Sequence, residues 1–168
     1  RSEDEARAAR EQLTATQTDI AAAVQAVRKV DEDQSIKELE DYLARTIGPN
    51  ERLHDLVAVM QRIDVSPGDR IIRAGDTGDD LYLLWTGRAS IEARLPNGSV
   101  LRLRTVTPGV VLGEIGIYRD GPRTADVVAE LPSTVYRLTR RELLHLERTD
   151  PHLAVLVHLL CATALSER

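Results

Sequence analysis

The sequence of 168 residues contains no phenylalanine, and aromatic residues make up only 3% of it. Leu, Ile, Val and Ala are therefore expected to fill the core, within a hydrophobic content of 42%. The single cysteine, Cys161, excludes an intrachain disulfide and a zinc cluster built on several thiolates. It fits a reducing, cytoplasmic setting. No apolar run approaches the roughly 18 residues that a membrane span needs. The first ten residues, RSEDEARAAR, are charged throughout, which does not fit a secretory leader. A chain that opens without Met, in helical character, reads as a piece of something larger. A basic excess is also missing: the net charge is -5, and no nucleic-acid partner is expected. A small anion remains allowed, because one phosphate needs only a well-placed Arg and a few backbone N–H groups. His54, His145, His152 and His158 are dispersed, and no Ser/His/Asp or Cys/His arrangement stands out. No metal, no cofactor and no catalysis are expected.

Three stretches of different character follow one another. Residues 1–47 contain no Gly or Pro and are rich in good helix formers. Ala6, Leu13, Ile20 and Val27 recur every seven residues, and Ala9, Thr16, Ala23 and Val30 follow each by three. This is a heptad pattern with a weak second column. It admits two readings: a helix packed on its own domain, or one paired with a second copy. An acidic break at Asp31-Glu32-Asp33 precedes a second helical pattern, Ile36, Leu39, Leu43 and Ile47, which Gly48-Pro49-Asn50 stops. Residues 1–50 are therefore expected to form a helical linker or dimerisation segment, and residues 51–168 a separate domain.

From residue 51 the period changes. Glu51 to Gln61 suits a short helix. Alternating runs then predict strands around residues 70–73, 81–85, 89–94, 100–106, 125–129 and 135–138. Turn signals separate them, the strongest being Asn97-Gly98, where both positions tolerate positive φ. Trp85 is expected in the core. Many short, evenly spaced strands predict an antiparallel barrel or jelly roll. After it, Thr139 and Glu142 form a capping box, and Asp150-Pro151 opens a last helix that is apolar on more than one face.

The segment from Val111 to Ala125 carries the chemistry. Gly113 lets the backbone approach a ligand closely. Glu114 opens a helical turn, whose first N–H groups suit a phosphate. Arg123 adds a fork of donors for phosphate oxygens, and Thr124 adds a hydroxyl. A carboxylate so near a phosphate needs a different partner, and a sugar hydroxyl that donates to Glu114 supplies one. Phosphate plus ribose describes a nucleotide-like ligand.

The same segment closely resembles the phosphate-binding cassette of the cyclic-nucleotide-binding domain family: an apolar pair, Gly113-Glu114, an apolar, a small and an apolar residue, a loop, then Arg123-Thr124-Ala125. Upstream, Pro67-Gly68-Asp69, Ile71-Ile72, Gly75-Asp76, Asp80-Leu81-Tyr82 and Gly87 match as well. The resemblance covers about Leu53 to Leu165. It implies an eight-stranded antiparallel jelly-roll barrel, with N-terminal helices before it and two C-terminal helices after it. It also implies a ligand, cyclic AMP or cyclic GMP. Glu114 would accept from the ribose 2′-hydroxyl and Arg123 would hold the exocyclic phosphate oxygens. Backbone N–H groups around Glu114, Ile115, Thr124 and Ala125 would complete the cradle. Leu103, Val111 and Leu112 would line the pocket, and the last helix would close over the base near Cys161 or Thr163. Binding would be coupled to movement of that helix. The Asp31 to Arg45 stretch and the end of the chain (Val135-Tyr136-Arg137-Leu138, Asp150-Pro151 and Leu165 to Arg168) look similar to the domain appended to some bacterial SulP-type anion transporters and other multidomain proteins, so the expected partner is a larger parent protein. The alternative is a domain of the same fold that no longer binds nucleotide and acts in assembly.

Overall fold

The structure is a computed structural model that describes residues 2–167. Helix α1 runs from Ser2 to Ile47, α2 from Leu53 to Ala58, and α3 from Glu114 to Tyr118. Two more helices, α4 (Arg140–Thr149) and α5 (Pro151–Ser166), close the chain. Eight strands lie between: β1 (Gln61–Val65), β2 (Arg70–Ile72), β3 (Leu81–Thr86), β4 (Ala89–Arg94), β5 (Val100–Val106), β6 (Val111–Leu112), β7 (Asp126–Ala129) and β8 (Ser133–Leu138). Among the described residues, no helix is long and apolar enough to cross a membrane.

Two compact units divide the chain, the first ending at Glu38 and the second starting at Leu39. In the first unit, α1 is solvent-exposed as far as Gln34, including Leu13, Ile20, Val24, Val27 and Val30, and half-buried at Ser35 and Ile36. The expected break at Asp31-Glu32-Asp33 is absent, and α1 runs straight through. Aspartate in a helix costs only a few tenths of a kcal/mol, far less than the Gly or Pro that would end it. The Gln34 side chain also donates to Glu38 one turn on. In the second unit the end of α1 is anchored: Leu39 and Leu43 are fully buried. The Tyr42 hydroxyl donates to the Gly109 carbonyl at 2.7 Å. Its ring lies 5.8 Å from that of Trp85. Trp85 is thus half-buried on the outer side of β3 rather than in the core, with Tyr42 as its cover.

The strands form two four-stranded antiparallel sheets, ordered β1-β8-β3-β6 and β2-β7-β4-β5. This is the jelly roll that the strand spacing implies, hydrogen-bonded as two separate ladders. Pairings such as Leu84 with Val135 and Ile91 with Val127 set the register. Ile72, Leu84, Ala89, Val106, Leu112, Val127 and Val135 form the core cluster. Strand β1 takes Gln61, where helix was expected, and α2 stops at Ala58. The Ile63 and Val65 alternation pairs with Val135 and Ser133 of β8, and tertiary pairing overrides a weak local preference.

Both expected caps are present. Thr139 accepts from the Glu142 amide and Glu142 reaches back to the Thr139 amide. Asp150 accepts from Leu153 at the start of α5. Arg52 clamps the same carboxylate with two bonds of 2.8 and 2.7 Å. That hydrogen bonding holds the Asp150 carboxyl below its ordinary range. Helix α5 buries Leu153, Ala154, Leu156, Val157, Leu160 and Cys161.

Candidate functional site

Strand β6 ends at Leu112 and α3 begins at Glu114, so Gly113 alone makes the reversal. Its φ of +79° lies in the region that favours glycine. A Cβ there would come within 2.6 Å of the Asp80 carbonyl oxygen and 2.7 Å of Arg123 Nη1. The backbone is closed around one guanidinium. Arg123 Nη2 donates to the Asp80 carbonyl at 2.6 Å, and Nη1 donates to the Gly113 carbonyl at 3.2 Å. Methyl groups at Gly78 or Gly116 would also press on this side chain, which threads between these glycines. The Arg123 main chain is fixed as well: its N–H donates to Asp76 at 2.9 Å and its carbonyl accepts from Gly75 at 2.8 Å.

Beside Arg123 lies a cavity of about 520 Å³. Small-molecule sites commonly enclose about 300–1,000 Å³. Residues 112–116 and 119–125 form most of the wall, and Ile72, Ile91 and Val127 add an apolar side. Glu114 is 1% exposed, so its carboxylate is drawn almost wholly into the protein. The cavity wall therefore combines Glu114, whose carboxylate oxygens are buried within the protein, with a half-buried guanidinium and an apolar side. The guanidinium and the apolar side suit a ligand with an anion and an apolar part.

Of the residues singled out in the sequence, Leu112, Gly113, Glu114, Ile115, Arg123, Thr124 and Ala125 all line this cavity. Val111 does not: it is buried and lines a separate hollow of about 80 Å³ together with Tyr42, Arg104 and Thr163. Leu103 is 55% exposed on β5, where the pairing with β4 shifts register. Cys161 is buried behind α3 rather than on the cavity. Burial pushes its thiol up; a Tyr118 hydrogen bond opposes this, and the Glu114 charge adds to it.

Three features escape a reading of the sequence. Asp80, just before β3, supplies the carbonyl that holds Arg123, and its carboxylate is gripped by Arg137 of β8 at 2.6 and 2.5 Å. The Tyr118 hydroxyl of α3 lies 2.8 Å from His158 Nδ1 of α5, with the rings stacked at 5.6 Å. His158 Nε2 is in turn 3.1 Å from Glu147 of α4. No short-range pattern announces these contacts, because 57 and 40 residues separate the first two pairs. Among the described residues, no group of three or more His, Cys, Asp or Glu is placed to hold a metal ion.

Residues 62–150 match the model of the cyclic nucleotide-binding domain, and the chain belongs to that family. A crystal structure of a cyclic nucleotide-binding domain from Methylobacillus flagellatus superimposes with a TM-score of 0.72 at 27% identity, covering 81% of this chain and 79% of the other. The acetyltransferase Pat of Mycolicibacterium smegmatis is 35% identical over 80 residues, 48% of this chain and 24% of that protein. The CRP-like cAMP-activated global transcriptional regulator of Mycobacterium tuberculosis is 27% identical over 121 residues, 61% of this chain and 54% of that protein. The chain thus spans between a quarter and about half the length of these curated relatives.

Proposed function

We propose that this chain binds a cyclic nucleotide monophosphate, cyclic AMP or cyclic GMP, as the regulatory input of a larger protein. The observation that carries the reading is the convergence of Glu114 and Arg123 on one cavity of about 520 Å³. Glu114 accepts from the ribose 2′-hydroxyl. Arg123 turns its fork to the exocyclic phosphate oxygens, and the amides of Glu114, Ile115, Thr124 and Ala125 complete the cradle. Gly113 permits the close approach, and Leu112 with Ile72, Ile91 and Val127 shields the apolar part. Binding is read out through α5, and the Tyr118–His158 contact supports this, since it ties the cassette helix α3 to α5. The relatives, a transcription regulator named as cAMP-activated and a longer acetyltransferase, support a module that serves different outputs. The SulP-type transporters, to whose appended domain the Asp31 to Arg45 stretch and the end of the chain look similar, are a further candidate parent.

The two purines are expected to bind with similar strength, cyclic AMP slightly better. Thr124 is exposed at the cavity rim, and one hydroxyl bond contributes about 0.5–1.5 kcal/mol. Competition titrations of wild type and Thr124→Ala should therefore show a change in selectivity of no more than about tenfold. A selectivity above about a hundredfold would mean that the pocket holds a further base-reading group.

The helical segment 1–50 is proposed to assemble two copies in parallel through its exposed part before Leu39, while the remainder packs with residues 51–168 in the nucleotide module. Leu13, Ile20, Val24, Val27 and Val30 are each about half or more exposed on α1, and an isolated helix gains little stability without packing. Sedimentation of the chain should give a dimer that becomes a monomer when residues 1–30 are removed. A monomer in both cases contradicts the assembly.

A further inference from the structure

The guanidinium of Arg123 does not stand alone. The shorter of its two side-chain bonds, 2.6 Å, goes to the carbonyl of Asp80, the residue just before β3. That carbonyl keeps its place only as long as the Asp80 backbone does. The Asp80 carboxylate is anchored in turn by Arg137 on β8, through Nε at 2.6 Å and Nη2 at 2.5 Å. Arg137 itself sits in the middle of a ladder, opposite Tyr82 of β3 on one side and Gln61 of β1 on the other. Its Nη1 donates to the Gln61 side chain at 3.4 Å. The Asp80 side chain is 17% exposed and that of Arg137 34%, so the pair is partly shielded from solvent and salt. The run is continuous: a rigid strand holds Arg137, Arg137 holds Asp80, and Asp80 holds the cavity's guanidinium.

We propose that Arg137 is a positioning residue for ligand binding, acting on Arg123 through Asp80. Arg137 lies outside the cassette and does not line the cavity. Its contribution is to fix where Arg123 starts from, so that the fork meets the phosphate without first losing its orientation. The inference rests on the nucleotide reading above and deepens it.

A double-mutant cycle on the full chain tests it. Cyclic AMP is titrated by calorimetry into wild type, Arg137→Ala, Arg123→Ala and the double variant, each shown to be folded by its thermal transition. Arg137→Ala is expected to weaken binding about five- to tenfold when Arg123 is present, and by less than about twofold when Arg123 is already Ala. Such non-additivity is what a purely structural defect does not produce. Equal losses in both backgrounds, or an Arg137→Ala affinity within about twofold of wild type, would overturn the assignment while leaving the nucleotide reading intact. Absence of binding by the wild type would sink both. If Arg137→Ala does not fold, Asp80→Asn carries the same cycle, because it keeps the carbonyl and the side-chain size and removes only the carboxylate.

Discussion

Arg123→Ala is expected to lower the affinity for cyclic AMP by at least about tenfold while the domain stays folded, since a hydrogen bond to a charged group contributes about 1.5–3 kcal/mol. The side chain donates to the carbonyl of Gly113, which lines the cavity, and to that of Asp80, which does not. Its main-chain bonds to Asp76 and Gly75 survive truncation at Cβ. The fold therefore loses two side-chain bonds, about 1 kcal/mol each, from a molecule whose stability is typically about 5–15 kcal/mol. The ligand would lose the bidentate cationic partner that Arg123 supplies. Calorimetry on the folded variant checks this, and unchanged affinity would mean that the phosphate is held elsewhere.

The largest loss of stability from a single methyl group is expected at Gly87. This residue turns the chain between β3 and β4 with φ +87°, and a Cβ there would run into Ser133 Oγ and lie 2.6 Å from the Pro132 carbonyl. Ser133 has little room to yield: it is buried, accepts from the Arg88 amide at 3.2 Å and donates to Leu131 at 2.7 Å. Backbone strain and overpacking together should cost at least about 3 kcal/mol. Gly98 provides the control. Its φ is +84°, but nothing lies within 4 Å of where its Cβ would be, so Gly98→Ala should cost only the conformational part, about 1–2 kcal/mol. Urea unfolding of both variants reads the difference as a shift of midpoint at constant slope. Equal midpoints would show that the wall formed by Pro132 and Ser133 relaxes.

Most of this architecture was legible in the residues. Strands β3, β4 and β5 and the caps at Thr139 and Asp150 answer local signals, and a turn lies at the expected place, though only Gly98 takes a positive φ and the turn bond runs from its N–H to the Leu95 carbonyl. The cassette was legible because Gly113-Glu114 and Arg123-Thr124-Ala125 are close in sequence and in space, and all five line one cavity. What could not be read was what depends on distant pairing. Strand β1 exists because Ile63 faces Val135 across 72 residues, and β6 is too short, at two residues, to show a period. Arg137 looks like any polar residue of an alternating strand until Asp80 is placed beside it. Leu103 fits a pocket residue by type, but β5 is an edge strand whose residues 100–105 are all exposed, and Leu103 does not line the cavity. Cys161 sits on the expected helix, yet the helix turns it into the packing behind α3. At the other end, Asp31-Glu32-Asp33 looks like a break by composition, while the helix simply continues, because nothing there forbids helical φ and ψ.

The central claim is that the cavity between Glu114 and Arg123 is a cyclic-nucleotide site. The measurement that tests it most directly is calorimetric titration of the purified chain with cyclic AMP, with 5′-AMP, whose phosphate is not cyclised, as comparison. Saturable binding of one cyclic AMP per chain, with 5′-AMP clearly weaker, is the predicted result. No saturable heat for cyclic AMP or cyclic GMP from the folded chain would contradict the account and leave the same fold serving assembly alone.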